Sequence, residues 1–124
     1  MISNDEYIKK ILQQILDSRD VIEKLNDKSG DLDLVKRELL KIIGFFMVLV
    51  KKIGAENFQS NELLELKSKL KNYLENYYFI QEIDTMSSLY SDDSDRLKSM
   101  RLKILESFED KKLIDKIQVL LEKL

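Results

Sequence analysis

Ligand-like spacing occurs in the stretch Asp27-Lys28-Ser29-Gly30-Asp31-Leu32-Asp33-Leu34-Val35-Lys36-Arg37-Glu38. Side-chain oxygens stand at its first, third and fifth positions, an apolar residue at the eighth and a glutamate at the twelfth. At these spacings an EF-hand loop surrounds calcium with oxygen ligands. Two residues oppose that chemistry. Leu32 fills the sixth position, where glycine makes the sharp turn, and Asn26 precedes the loop where an apolar residue would pack the entering helix. The expectation is an ordinary interhelical turn with no bound metal.

Carboxylates also recur three residues apart, as Asp17 with Asp20, Glu62 with Glu65 and Glu106 with Glu109. Such pairs can share a proton or a hard cation. Helical di-metal sites add Glu-x-x-His, however, and this chain has no His. The pairs lie off the apolar stripes, so they read as a solvated surface. With Cys and His both at zero, disulfides, thiolate or imidazole metal sites, Cys or His nucleophiles and a Ser-His-Asp triad are excluded. Three glycines build no phosphate-cradling loop. Neither catalysis nor a cofactor is expected.

Cations gather as Arg96, Lys98, Arg101 and Lys103, followed by Lys111, Lys112 and Lys116, with a second strip at Arg37, Lys41, Lys51 and Lys52. These faces are the alternative reading, association with nucleic acid. Against it, 21 basic and 23 acidic residues give a net charge of −2, whereas duplex binding is driven by a positive excess. No aromatics interleave the helix-borne lysines to stack bases.

The elements that carry these residues are helices. There is no Pro, and apolar residues recur every three or four positions almost throughout. The chain is expected to be a single all-α domain over 1–124, an antiparallel bundle of about five helices at 4–26, 32–53, 61–90, 95–107 and 110–124. Ser3 and Glu6 read as a capping box for the first helix. Ile8, Ile11, Ile15, Ile22 and Leu25 form its stripe, which Ser18 interrupts. Gly30 suits a positive φ in the first turn, and Asp31 or Asp33 can cap the second helix. That helix carries Val35, Leu39, Ile42, Phe46, Leu49 and Ile53, and Gly54 ends it. Leu40, Phe45 and Met47 widen its apolar arc, which makes it the central helix.

The third helix changes phase. Leu63, Leu66, Leu70, Tyr73 and Tyr77 share one face, but Phe79, Ile83, Met86 and Tyr90 form a second stripe. Phe79 lies about 180° from Leu70 at 100° per residue. Either the helix breaks near Tyr78 or its second half buries the opposite side. A turn and capping cluster at Ser91–Asp95 precedes Leu97, Met100, Ile104 and Phe108. A second capping box at Ser107–Asp110 then starts the last helix with Leu113, Ile114, Ile117, Leu120, Leu121 and Leu124.

The apolar run from Ile42 to Val50 is flanked by lysines and falls short of the roughly 20 residues a membrane span needs. The polar, acidic start does not read as a signal peptide, so a cytoplasmic protein is expected. Its expected function is binding another protein, as an inhibitor, immunity factor, adaptor or assembly subunit. The apolar surface on the second and third helices exceeds what a small monomer needs, so self-association is expected as well. Phe79, Ile83, Met86 and Tyr90 are the candidate partner-binding ridge, unless the following helices cover them as core.

Overall fold

Apolar residues at 3.6-residue spacing, interrupted at the turns, make the described residues helical over most of their length. A computed structural model describes residues 4–28, 30–53, 61–90 and 93–123, with all their side chains except those of Asn4, Asp5, Tyr90 and Lys111. Its elements are α1 (Asn4–Lys24), α2 (Asp31–Lys52), α3 (Asn61–Asn76), α4 (Phe79–Tyr90), α5 (Ser94–Glu109) and α6 (Leu113–Lys123), with a 3-10 turn at Asp110–Lys112. The described residues contain no strand, and the fold is the expected all-α bundle. None of their helices is long and apolar enough to cross a membrane.

The periodic stripes become the core. Ile8, Ile11, Leu12, Ile15 and Ile22 of α1 are buried, as are Val35, Leu39, Ile42, Phe46 and Leu49 of α2, with Ile53 just beyond it. Leu97, Met100, Ile104 and Phe108 of α5 and Leu113, Ile114, Ile117 and Leu120 of α6 complete it. α2 packs on α1, α3, α4 and α5 and is the central helix, while α6 closes the bundle against α1, α3 and α5. An aromatic column runs through the centre. Tyr73 stacks on Phe108 at 5.5 Å and 22°, and Phe46 meets Tyr73 edge-on at 5.3 Å and 88°. Such pairs contribute about 0.5–1.5 kcal/mol beyond their burial.

The α1–α2 turn takes Gly30 at φ 90° and Asp27 at φ 61°. Gly30 has the conformation the sequence asks for. Asp27 tolerates it because its short polar side chain finds partners, described below. The expected side-chain cap on α2 is absent at its N-cap, Gly30. Asp31 instead accepts the backbone N–H of Lys28 at 3.0 Å, which tightens the turn rather than the helix end.

The single helix expected over 61–90 is two, α3 and α4, broken at Tyr77-Tyr78. The break resolves the phase change, because reorienting the chain lets both stripes point inward. Leu63, Leu66, Leu70 and Tyr73 are buried before it, and Phe79 and Ile83 after it. Tyr77 bridges the elbow, lying 4.7 Å from Tyr73 and stacking on Phe79 at 5.6 Å and 15°.

At α5, Asp93 caps the helix by accepting from the Arg96 backbone N–H at 3.1 Å, inside the expected cluster. The expected capping box at Ser107–Asp110 does not form. Ser107 is buried within α5, its hydroxyl held 2.7 Å from Tyr73 Oη, and the helix runs on to Glu109. Lys112 at φ 58° then redirects the chain into α6. The Ser3 cap, Gly54, and Ser91 and Asp92 lie outside the described residues.

Candidate partner-docking face

Six of the residues named for chemistry prove to be structural. Asp27, first position of the calcium-like loop, has both carboxylate oxygens engaged by Arg101, from Nε at 2.8 Å and Nη2 at 3.1 Å. Arg101 Nη1 also donates to the Glu23 carbonyl at 3.1 Å, satisfying an open end of α1. The pairing holds the Arg101 guanidinium above its ordinary range, its burial opposing. Glu38, the loop's twelfth position, points away into a cleft between α1 and α2. Glu62 and Glu65 accept from Lys123 and Lys116, so this carboxylate pair fastens α3 to α6. The Lys116 ammonium lowers the Glu65 carboxyl, first by its hydrogen bond and then by its charge. No group of three or more metal-ligating side chains occurs among the described residues.

The nucleic-acid face loses its central residue. Arg101 is buried against α1, turned inward from the other cations of α5. Arg96 is ion-paired with Asp93 at 3.3 Å, and Lys98, Lys103 and Lys112 are exposed. The Lys111 side chain is outside the described set. For Arg101 the signal was its place four residues after Leu97 and three before Ile104, on the core side of α5, which a reading of the basic run alone passed over.

Of the expected ridge of Phe79, Ile83, Met86 and Tyr90, the first two residues are not exposed. Phe79 and Ile83 are 8 % and 1 % exposed, covered by the bundle, with α4 packed on α2 and α5. Met86 is half-buried beside Met100, and the Tyr90 side chain is not described.

Apolar surface lies instead on the outer side of α2. The helical stripe Leu40, Gly44, Met47 faces solvent, with Leu40 48 % and Met47 59 % exposed. Beside it runs a groove of about 470 Å³ between α2 and the α3–α4 elbow, lined by Ile43, Met47, Leu74, Tyr78 and Ile80. The elbow places Tyr78 64 % exposed at its rim, its hydroxyl donating to the Glu75 carbonyl. In the sequence Leu40 and Met47 lie outside the inner stripe of α2 and widen its apolar arc, part of the surplus apolar surface expected on this helix. A helix wheel records which side is apolar, not how far neighbours reach around it.

On the opposite flank of α2 a second cleft, of about 310 Å³, is lined by Asp17, Ser18, Glu38, Lys41 and Phe45. Glu38 is 5 % exposed and accepts from Lys41 Nζ at 3.2 Å. Sequence reasoning missed its burial. The signal was its place three residues after Val35 and four before Ile42, inside the core register.

Chemically, the α2 groove offers methyl, thioether and phenol surfaces with little charge, suited to excluding water from apolar side chains. Burying one large aliphatic side chain there contributes about 1.5–3 kcal/mol. Comparison with known protein families, with curated proteins and with solved structures gives no match.

Proposed function

We propose that this chain works by binding another protein, without catalysis, and that it does so through the outer face of α2 and the α3–α4 elbow. The observation that carries the reading is the exposure of Met47 and Tyr78 on either side of an apolar groove; other large apolar side chains, Leu89, Leu64, Leu102 and Val119 among them, are exposed elsewhere on the bundle. Met and Tyr are among the types enriched at interface centres, and the Tyr78 hydroxyl already has a backbone partner. Inhibitor, immunity, adaptor and assembly roles share this requirement. The nucleic-acid alternative has lost Arg101 to Asp27, and no observation favours it over protein binding. The test is partner recovery from the native cell with the chain and with Met47→Glu, which places a charge in the groove at an exposed position and leaves the core untouched.

A further inference from the structure

The solvent stripe of α2 has an arrangement that specifies the kind of partner. Residues spaced seven, four and three before and after Gly44 share its face, which orders the stripe as Arg37, Leu40 with Lys41, Gly44, Met47 with Val48, and Lys51. Cations stand at both ends, apolar side chains toward the middle, and no side chain at the centre. Lys52 adds to the C-terminal end. Arg37, Lys41, Lys51 and Lys52 are all exposed. The one acidic residue within this span, Glu38, is buried to the side, where it pairs with Lys41 at 3.2 Å and stands 3.9 Å from Arg37 Nε, so an acidic partner would compete with it at this end of the stripe.

Gly44 is the second observation. A glycine inside a helix is destabilising relative to alanine. A Cβ built at Gly44 meets nothing within 4 Å and its φ is not positive, so neither packing nor backbone conformation within the chain calls for glycine. Its absent side chain leaves a shallow saddle between Leu40 and Met47, where another helix can approach the α2 backbone closely. The saddle lies between the two clefts described above, which can take side chains on either side of a crossing helix.

The geometry points to an amphipathic helix of another protein, apolar along one stripe and acidic at both ends of it, crossing α2 at Gly44. This rests on the reading of the α2 face as a protein-docking surface and adds the partner's chemistry. Arg37 and Lys51 are separated by about 21 Å at 1.5 Å per residue, the length of roughly four helical turns. A second copy of this chain is a poor occupant of the stripe. With α2 against α2 in an antiparallel pair, Arg37 would face the partner's Lys51, and in a parallel pair like residues would meet, so both set cation against cation.

The test uses a displayed library of helical peptides with a fixed apolar stripe and randomised flanking positions, selected on the full chain and counter-selected on Gly44→Leu. Selected peptides are expected to carry Asp or Glu at both ends of the stripe. They should bind about tenfold or more tightly than their Lys-substituted versions, and lose that preference on Arg37→Glu with Lys51→Glu, since close charge contacts act on this scale. Gly44→Ala should raise the melting temperature of the isolated chain and weaken peptide binding, separating the saddle from fold stability. Enrichment of basic or uncharged flanks, equal binding to Gly44→Leu, or no enrichment would overturn the inference. So would a wild-type dimer in sedimentation that Gly44→Leu converts to monomer. The broader docking reading is tested separately by Met47→Glu and the native partner.

Discussion

Asp27 and Arg101 stand 74 residues apart and make a two-point ion pair that ties the α1–α2 turn to α5. Their side chains are 12 % and 10 % exposed, so water competes weakly for either group. The same guanidinium reaches the last carbonyls of α1, where a helix leaves acceptors open. One arginine thereby fixes a turn, a helix end and the approach of a third helix.

Arg101→Leu is expected to destabilise the chain by about 2–4 kcal/mol, since it leaves the Asp27 carboxylate and the α1 carbonyls without their donor. Arg101→Lys should recover only part of this, because an ammonium cannot span both carboxylate oxygens. Asp27→Gly separates backbone from pairing. Glycine relieves the positive φ by up to about 1 kcal/mol, yet the variant should still be less stable than the parent. Denaturant unfolding measures all three.

Ile83→Ala and Met47→Ala test which apolar residues are core. The first removes a side chain 1 % exposed and should cost about 2–5 kcal/mol. The second lies on the surface and should stay within about 0.5 kcal/mol of the parent. Equal losses at the two positions would contradict the assignment of the α2 outer face to solvent.

Tyr73 links α3 to α5 through Ser107, whose hydroxyl can itself donate to the Ile104 carbonyl. Tyr73→Phe is expected to cost about 1 kcal/mol. Burial pushes the Tyr73 phenol well above the ordinary tyrosine range, the Ser107 hydrogen bond opposing it less strongly. The folded state therefore holds this proton more tightly than the unfolded state. Its contribution is complete below the unfolded value, near about 10, and declines as pH rises above it. Tyr77 shifts the same way, first through its hydrogen bond to Asp110. Stability measured against pH should fall in the alkaline range, and Tyr73→Phe should reduce that slope without abolishing it.

The Glu65 carboxyl is depressed by Lys116, which gives an acid counterpart. Its pairing is complete above the ordinary glutamate range and is lost as pH falls through the lowered value. Because the pair is at the surface, Glu65→Gln should change stability little at neutral pH, less still at high salt, and should flatten a small part of the acid slope.

Much of the fold was legible because periodicity is a local property. The stripes of α2, α5 and α6 follow from three- and four-residue spacing alone. The half-turn phase change between Leu70 and Phe79 marked the place of the α3–α4 elbow but left open whether the helix breaks there, and a single helix over 61–90 was expected. What was not legible depends on distance in sequence or on how far packing extends. Nothing near Arg101 announces a partner 74 residues away. Ser107 looked like a helix cap because its hydroxyl partner, Tyr73, lies in another helix. Phe79 and Ile83 are buried and Met47 is exposed, a difference the sequence did not show, since an apolar side chain reads the same in a core as at an exposed face.

Partner recovery from the native cell tests the central claim most directly, using the parent chain, Met47→Glu and, as a surface control on α6, Val119→Glu. All three should share the same helical signal and closely similar melting temperatures. The account predicts that one protein is enriched reproducibly with the parent and with Val119→Glu and is lost with Met47→Glu, and that the purified pair binds directly. Retention of that partner by folded Met47→Glu, or the absence of any enriched protein, would contradict docking through the outer face of α2.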